Sequence, residues 1–335
     1  MHFAIIGAGN MGCLYGSNLS RIGESVTMID VWEEHVDSMR RSGIRMEGLH
    51  GEFVAKVNAT TDPSDVEPVD VAIILTTTNE TTQAAEIAAT VLKDDGYALT
   101  LQNGLGNVEQ LDTILGKQRS MAGLSFHSAD LTGPACVTHS NHGPTYLGER
   151  DRSKTDRLEK LRASMAKAGM DPAVEEDIMS TIWSKFVLNC GINAICAITD
   201  LRPGHIQDVP ELDEFQTEVI RETMALVEAR GISIPDPDPV TTIKAYCATK
   251  FHRVSMLQHL ARTRTTEIEA LNGYVVRESE KMGLKAPYND ALTKLMKGRH
   301  YFPDVDDKSS PVDWKGQQGG KGALRLRSGQ APVQG

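Results

Sequence analysis

"HFAIIGAGNMGCLYGSNLSRIGESVTMID", residues 2–30, contains in one run the pattern that decides the fold. "HFAIIG" (2–7) is short and almost continuously apolar, as a strand buried on both faces is. "NMGCLYGSNLSRIG" (10–23) has helical spacing and ends at a glycine, and "SVTMID" (25–30) is a second strand. Between the first strand and the helix, Gly7, Gly9 and Gly12 fall in the pattern G-x-G-x-x-G. The three glycines differ in what they permit. Gly7 makes the tight turn out of the strand, Gly9 lets the backbone approach a pyrophosphate, and Gly12 lets helix and strand close on each other. The free N–H groups of the helix N-terminus then face the phosphates.

Asp30, at the end of the second strand, completes a dinucleotide-binding pattern. A carboxylate there accepts hydrogen bonds from the adenine ribose hydroxyls and repels a 2′-phosphate. No arginine follows in "VWEEH" (31–35), so NAD(H) is favoured over NADP(H). The same carboxylate is also placed to cap a helix beginning near residue 32, a role compatible with the first.

The alternation continues through "VDVAIILTT" (69–77), a helix at about 80–92 and "YALTLQ" (97–102). This predicts an α/β Rossmann-type dinucleotide-binding domain with a mainly parallel sheet. After "SMAGLSF" (120–126), "ACVTHS" (135–140) and "TYLGER" (145–150) are expected as antiparallel strands near the sheet edge. Helical patterns then dominate, at 153–168, 177–198, 211–230, 239–262, 264–282 and 287–298. The expected division is a dinucleotide-binding domain over 1–175, an all-α C-terminal domain for substrate and dimerisation over 176–305, and a flexible tail over 306–335. That tail is rich in Gly, Gln and Ser and has little to bury.

At 335 residues the chain is longer than one core usually grows, in line with two domains. Hydrophobic residues make up 40% and charged residues 24%, which excludes disordered, collagen-like and disulfide-scaffold classes. A net charge of −10 disfavours nucleic acid and anionic membranes as partners, and requires locally placed cations for an anionic small molecule. The five cysteines form no CxxC pair, the N-terminus lacks a basic leader, and no run of 18 apolar residues occurs, so a cytoplasmic protein is expected.

"IWSKFVLNCGIN" (182–193) interrupts an apolar helical pattern with Lys185, Asn189 and Asn193 at a spacing of four. Residues four apart share one helix face, so the three form a polar ridge. An exposed face would explain them, but Trp183, Phe186, Leu188, Ile192 and Ile195 surround the helix, and a helix that apolar is mostly buried. An unpartnered buried lysine is costly, so the ridge should face a wet cleft or a carboxylate.

"GAGNMG" (7–12), "LQNGLGN" (101–107), "WSKFVLNCGIN" (183–193) and "SMLQHLARTRTTEIEALNG" (255–273), in that order, resemble the ketopantoate reductase (2-dehydropantoate 2-reductase) family. The resemblance implies NAD(P)H-dependent reduction of a 2-oxo acid. Lys185 would be the catalytic lysine at the 2-oxo oxygen, with Glu267 completing the catalytic pair. Asn103, Asn189, Asn193 and Ser255 would bind substrate. Gly7, Gly9, Asn10, Met11, Gly12, Asp30, Thr76, Thr77, Asn103 and Gly104 would contact the cofactor. A homodimer through the helical domain is common in similar proteins. On the residues alone, Glu267 could equally be a helix N-terminal carboxylate and Ser255 a cap for a helix from 256.

The chain departs from the family pattern where an aspartate is often found and His259 stands, and where a substrate-side asparagine is replaced by Pro203. The basic residues that grip an NADP phosphate correspond to Val31 and Thr77, in agreement with the reading of Asp30. The family includes NAD-dependent D-2-hydroxyacid dehydrogenases acting on bulky, mandelate-like acids, which is the alternative activity. A nucleotide-sensing protein without turnover is the alternative of another class. Cys136, His139 and His142, with His127 upstream, are spaced by three; in strands and a turn this does not place three donors on one side, and no metal is expected.

Overall fold

The computed structural model describes residues 1–49, 51–261 and 265–301. The expected tail over 306–335 lies outside the described residues. Twelve strands are present among them: β1 (His2–Ile6), β2 (Ser25–Ile29), β3 (Ile44–Gly48), β4 (Phe53–Ala55), β5 (Asn58–Thr60), β6 (Val69–Ile74), β7 (Leu92–Thr100), β8 (Ser120–Ser125), β9 (Ser128–Gly133), β10 (Cys136–Asn141), β11 (Thr145–Gly148) and β12 (Pro172–Val174). The helices are α1 (Asn10–Arg21), α2 (Glu33–Ser42), α3 (Thr81–Val91), α4 (Asn107–Leu115), α5 (Asp156–Lys167), α6 (Ile178–Thr199), α7 (Pro210–Ala229), α8 (Pro239–Cys247), α9 (Ser255–Ala261), α10 (Asn272–Lys281) and α11 (Pro287–Tyr301).

Eight strands form one sheet in the order β12-β11-β8-β7-β6-β1-β2-β5. All neighbours are parallel except β11, which runs antiparallel to β8. The apolar runs read as strands are the central ones, with Phe3, Ala4 and Ile5 all at 0% exposure. From β1 the chain first builds outward through β2 and then crosses to β6 on the other side. Strand order reverses there, and the crevice beyond the carboxyl ends of β1 and β6 is where open α/β sheets take ligands.

"ACVTHS" does not join this sheet's edge as expected. β10 belongs to a second, four-stranded sheet, β4-β3-β10-β9, where it pairs parallel to β3 and antiparallel to β9. Met46, Val137 and Ala129 of that sheet share one core with Leu14, Tyr15 and Leu19 of α1 and with Phe3 and Ile5 of β1. Helix α1 is thus covered on both sides, which explains why Gly12 through Leu19 are all buried.

The helical half is organised around α6. Asp177 caps its start, accepting from the Ser180 N–H at 3.1 Å, and Asp200 ends it in a left-handed conformation at φ 55°. Its 22 residues and mean hydropathy of 1.3 would suffice to cross a membrane, but 61% of the apolar window is buried inside the protein. Val219 and Ile220 of α7, Ile243 of α8, Met256 of α9, Val275 of α10 and Leu292 of α11 pack with Phe186, Val187 and Ile192.

Two expected helices are broken. The span 239–262 divides into α8 and α9, joined by a nonhelical segment at 248–254. The break is tertiary: the Gly204 N–H donates to the Lys250 carbonyl at 2.8 Å, and the Phe251 ring lies 5.4 Å from the His205 ring. The span 264–282 becomes a short 3-10 turn at Ile268–Ala270 followed by α10; residues 262–264 are outside the described ones. Leu271, at φ −112° and ψ −105°, interrupts the helical backbone between them.

Candidate active site

The turn from β1 into α1 behaves as the glycine spacing requires. Gly7 has φ +89°, and a Cβ there would come within 2.7 Å of the Thr76 backbone nitrogen. At Gly12 a Cβ would lie 2.0 Å from the Gly7 carbonyl oxygen, an overlap that excludes any side chain. At Gly9 a Cβ would meet nothing within 4 Å, so the backbone borders open space at the helix N-terminus. This is the cradle a pyrophosphate needs, and the residues present fit a dinucleotide.

Asp30 uses both oxygens locally. Its Oδ2 accepts from the Ala8 N–H at 2.7 Å and its Oδ1 from the Trp32 N–H at 3.0 Å. Trp32 holds the N-cap position of α2 and no side chain caps it, so Asp30 is not the helix cap; its two bonds tie the glycine turn to the residue just ahead of α2. A carboxylate offers about four lone-pair sites, so acceptor capacity for ribose hydroxyls remains. Val31, beside it, is 85% exposed.

A cleft of about 270 Å³ runs from the glycine turn to α6 and α9. Gly9, Asn10, Met11, Thr76, Thr77 and Asn103 line its Rossmann side. Gly7, Gly12, Asp30 and Gly104 do not line it; they shape the backbone around it. At Gly104, for example, φ is +82° and a Cβ would lie 2.9 Å from the Ala270 carbonyl. The Gln102 amide fastens this wall, donating to the Thr76 carbonyl at 3.2 Å and the Thr77 carbonyl at 3.2 Å.

The polar ridge of α6 lines the same cleft with Lys185, Asn189 and Asn193, and Ser255 enters from the first turn of α9. The ridge is therefore not an exposed helix face. The Lys185 ammonium donates to the Ser125 carbonyl at 2.5 Å and lies 5.1 Å from the centre of the Phe126 ring. Desolvation lowers its pKa from the ordinary lysine value to about 8, opposed by the charge of Glu267.

Glu267 is 7% exposed. It precedes the 3-10 turn without capping it, so the helix N-terminal role is not realised. Its carboxylate accepts from Thr78 Oγ1 at 3.2 Å and from Asn103 Nδ2 at 3.5 Å. Because the helix expected over 264–282 is broken here, this carboxylate turns across to the loop after β7.

Sequence reasoning missed one wall. Tyr246, Lys250, His252 and Arg253, from the end of α8 and the segment after it, line the cleft together with Pro203 and His259. Lys250 and Arg253 add cations to Lys185, against the single carboxylate Glu267, so the cleft attracts anions although the chain carries −10 overall. The basic cluster in "TKFHR" (249–253) was the available signal, but read as part of a continuous helix its charges would have been dispersed around the axis.

The pattern described as ketopantoate reductase PanE/ApbA matches residues 3–152, and that of the family's C-terminal part matches residues 177–300. The chain belongs to the ketopantoate reductase family. A 2-dehydropantoate 2-reductase of Pyrococcus horikoshii is 32% identical over 301 residues, 89% of this chain and 97% of the relative. Among solved structures, a PanE/ApbA family ketopantoate reductase from Ralstonia eutropha has a TM-score of 0.84 at 30% identity, covering 90% of this chain and 99% of the other. A D-mandelate dehydrogenase in a ternary structure with NADH and anilino(oxo)acetate has a TM-score of 0.85 at 26% identity, covering 91% and 100%. As a ketopantoate reductase family member, the chain is an oxidoreductase of CH–OH groups with NAD(P) as acceptor, reducing a 2-oxo acid in the opposite direction.

Proposed function

We propose that the chain reduces a 2-oxo acid to the 2-hydroxy acid with NADH in preference to NADPH, and that ketopantoate, for which its relatives are named, is the first candidate substrate. The observation that carries this reading is the desolvated Lys185 ammonium, with a pKa of about 8, on a ridge shared with Asn189 and Asn193 in the cleft that Gly9 borders.

A bound nicotinamide supplies the hydride. As the carbonyl carbon accepts it, the C=O π electrons move onto oxygen, and the Lys185 ammonium stabilises that charge and donates its proton. Asn189, Asn193, Asn103 and Ser255 orient the acid, since amides and hydroxyls both donate to carboxylate and accept from hydroxyl. Glu267 sustains the charge on Lys185, and in the oxidative direction the neutral amine is the base. Reduction needs the protonated amine, so its rate falls as pH rises through about 8, and oxidation rises over the same interval. Because Glu267 raises the lysine pKa, Glu267→Gln should move the descending limb of the reductive profile to lower pH. An unmoved limb would separate Glu267 from Lys185.

The NADH preference rests on Asp30 and on Val31 where a phosphate-gripping base would stand. Hydrogen bonds to a charged group contribute about 1.5–3 kcal/mol, so Asp30→Ala should lower the NADH-to-NADPH ratio of kcat/KM by roughly 10-fold to 100-fold. A wild-type enzyme that already prefers NADPH would refute this part.

A bulkier 2-oxo acid is the second reading, as for a D-2-hydroxyacid dehydrogenase. It is favoured by Phe126, Leu188 and Tyr246 in the cleft wall, by His259 and Pro203 in place of the family's usual polar residues, and by likeness to a mandelate dehydrogenase. An NADH-oxidation panel containing ketopantoate and phenylglyoxylate decides between them. Tight NADH binding with no turnover on any 2-oxo acid would sink both readings and favour a nucleotide-sensing role. We further infer a cytoplasmic homodimer acting on small molecules, in keeping with five free cysteines. Light scattering on the purified chain tests the dimer.

A further inference from the structure

His127, His139 and His142 do what their spacing alone did not promise. One nitrogen from each lies within 4.8 Å of the others, and His127 and His139 are buried while His142 is exposed. The β9–β10 pairing has a register shift between His139 and Asn141, directly before His142, which follows the end of β10. Its ring stands 4.9 Å from the His127 ring, at 86°. Cys136 is not part of the group.

The hydrogen bonds define which lone pairs face inward. His127 Nε2 lies 3.1 Å from the Met170 carbonyl oxygen, which can only accept, so Nε2 carries the proton and Nδ1 holds a lone pair. That Nδ1 is 3.1 Å from His139 Nε2. In a tetrahedral site with metal–nitrogen bonds of about 2.0–2.1 Å, neighbouring donors stand roughly 3.4 Å apart, so this pair is already at ligand spacing. A backbone carbonyl holding the far nitrogen of a ligating histidine is the usual orienting device of such sites. Asp171 Oδ2, 3.9 Å from His142 Nε2, adds negative charge at the open side.

The geometry points to a binding site for a divalent transition metal of the zinc or cobalt type, held by His127 Nδ1, His139 Nε2 and His142. Imidazole donors without thiolate suit these ions, unlike magnesium or calcium, which take oxygen. Binding replaces the N–H···N hydrogen bond between His127 and His139 by two metal–nitrogen bonds, with the His139 proton carried on Nδ1. His142, at the surface, closes the site by an inward shift of roughly an ångström, leaving the fourth position to solvent or Asp171. His127 also lines the cleft next to Ser125, whose carbonyl receives Lys185, so the ion would border the proposed active site.

The test uses the full, tag-free chain, stripped with chelator and titrated with ZnCl₂ by calorimetry and with Co(II) by visible spectroscopy. One equivalent should bind per chain, and Co(II) should show visible bands of a nitrogen-rich site. His142→Ala, a change at an exposed residue, should weaken binding by about 10-fold or more and lose those bands, with an unchanged melting temperature in the metal-free state. Cys136→Ser should bind as wild type. No saturable binding, binding unaffected by His142→Ala, or binding lost with Cys136→Ser would each overturn the site.

Discussion

Lys185→Ala is expected to lower turnover on 2-oxo acids by roughly 10²–10⁴-fold, the usual contribution of a positioned acid, while NADH binding persists. The separation follows from where the amine stands. It projects from α6 to the Ser125 carbonyl, whereas the turn proposed for the pyrophosphate is made by Gly7, Gly9 and Gly12 at the start of α1. The lost groups are one proton donor and one positive charge in a cleft that has already removed water from the ammonium, as the lowered pKa of about 8 records. The variant should not melt lower, because it removes a desolvated charge from the fold. Residual activity, measured across pH, should lack the limb near pH 8. Near-normal kcat, or an unchanged limb, would remove the lysine from the mechanism.

Gly12→Ala should damage both stability and cofactor binding. A Cβ at this position meets the Gly7 carbonyl oxygen at 2.0 Å, the Gly7 carbonyl carbon at 3.0 Å and Ile5 Cγ2 at 3.3 Å. The first two are backbone atoms of the very turn that borders the cleft, so no side-chain rotation relieves the overlap. Either α1 moves away from β1, opening a core that contains Phe3, Ile5 and Leu14, or the Gly7 turn deforms. Overpacking of this kind costs about 1–3 kcal/mol, visible as a lower melting temperature. NADH affinity, followed by fluorescence titration, should fall together with it. An unchanged melting temperature and affinity would show that the turn can shift freely and is not a rigid cradle.

These two positions differ from Asp30 and Glu267 in how they were legible. The glycine turn is local: strand, three glycines and helix lie within a dozen residues, and steric rules for a missing Cβ hold wherever the fold places them. The ridge of α6 is equally local, since helical geometry alone puts Lys185, Asn189 and Asn193 on one face. Asp30 carried two compatible readings, and only the structure shows that it bonds the Ala8 and Trp32 N–H groups while Trp32 takes the cap position. For Glu267 the sequence left a helix-end role open, and that role disappeared when the long helix proved to be broken.

Sequence by itself thus determined the alternating α/β architecture, the glycine turn, the polar helix face and the family. All of them rest on short-range periodicity and on motifs whose spacing has a direct steric meaning. Tertiary structure alone decided that β10 joins a second sheet, that residues 248–254 leave the helix to line the cleft with Lys250, His252 and Arg253, and that His127, His139 and His142 converge. The physical reason is the same in each case. A strand's partner, a helix break without glycine or proline, and the convergence of three histidines are selected by contacts between residues far apart in the chain, such as Gly204 with Lys250, and local preference is too weak to oppose them.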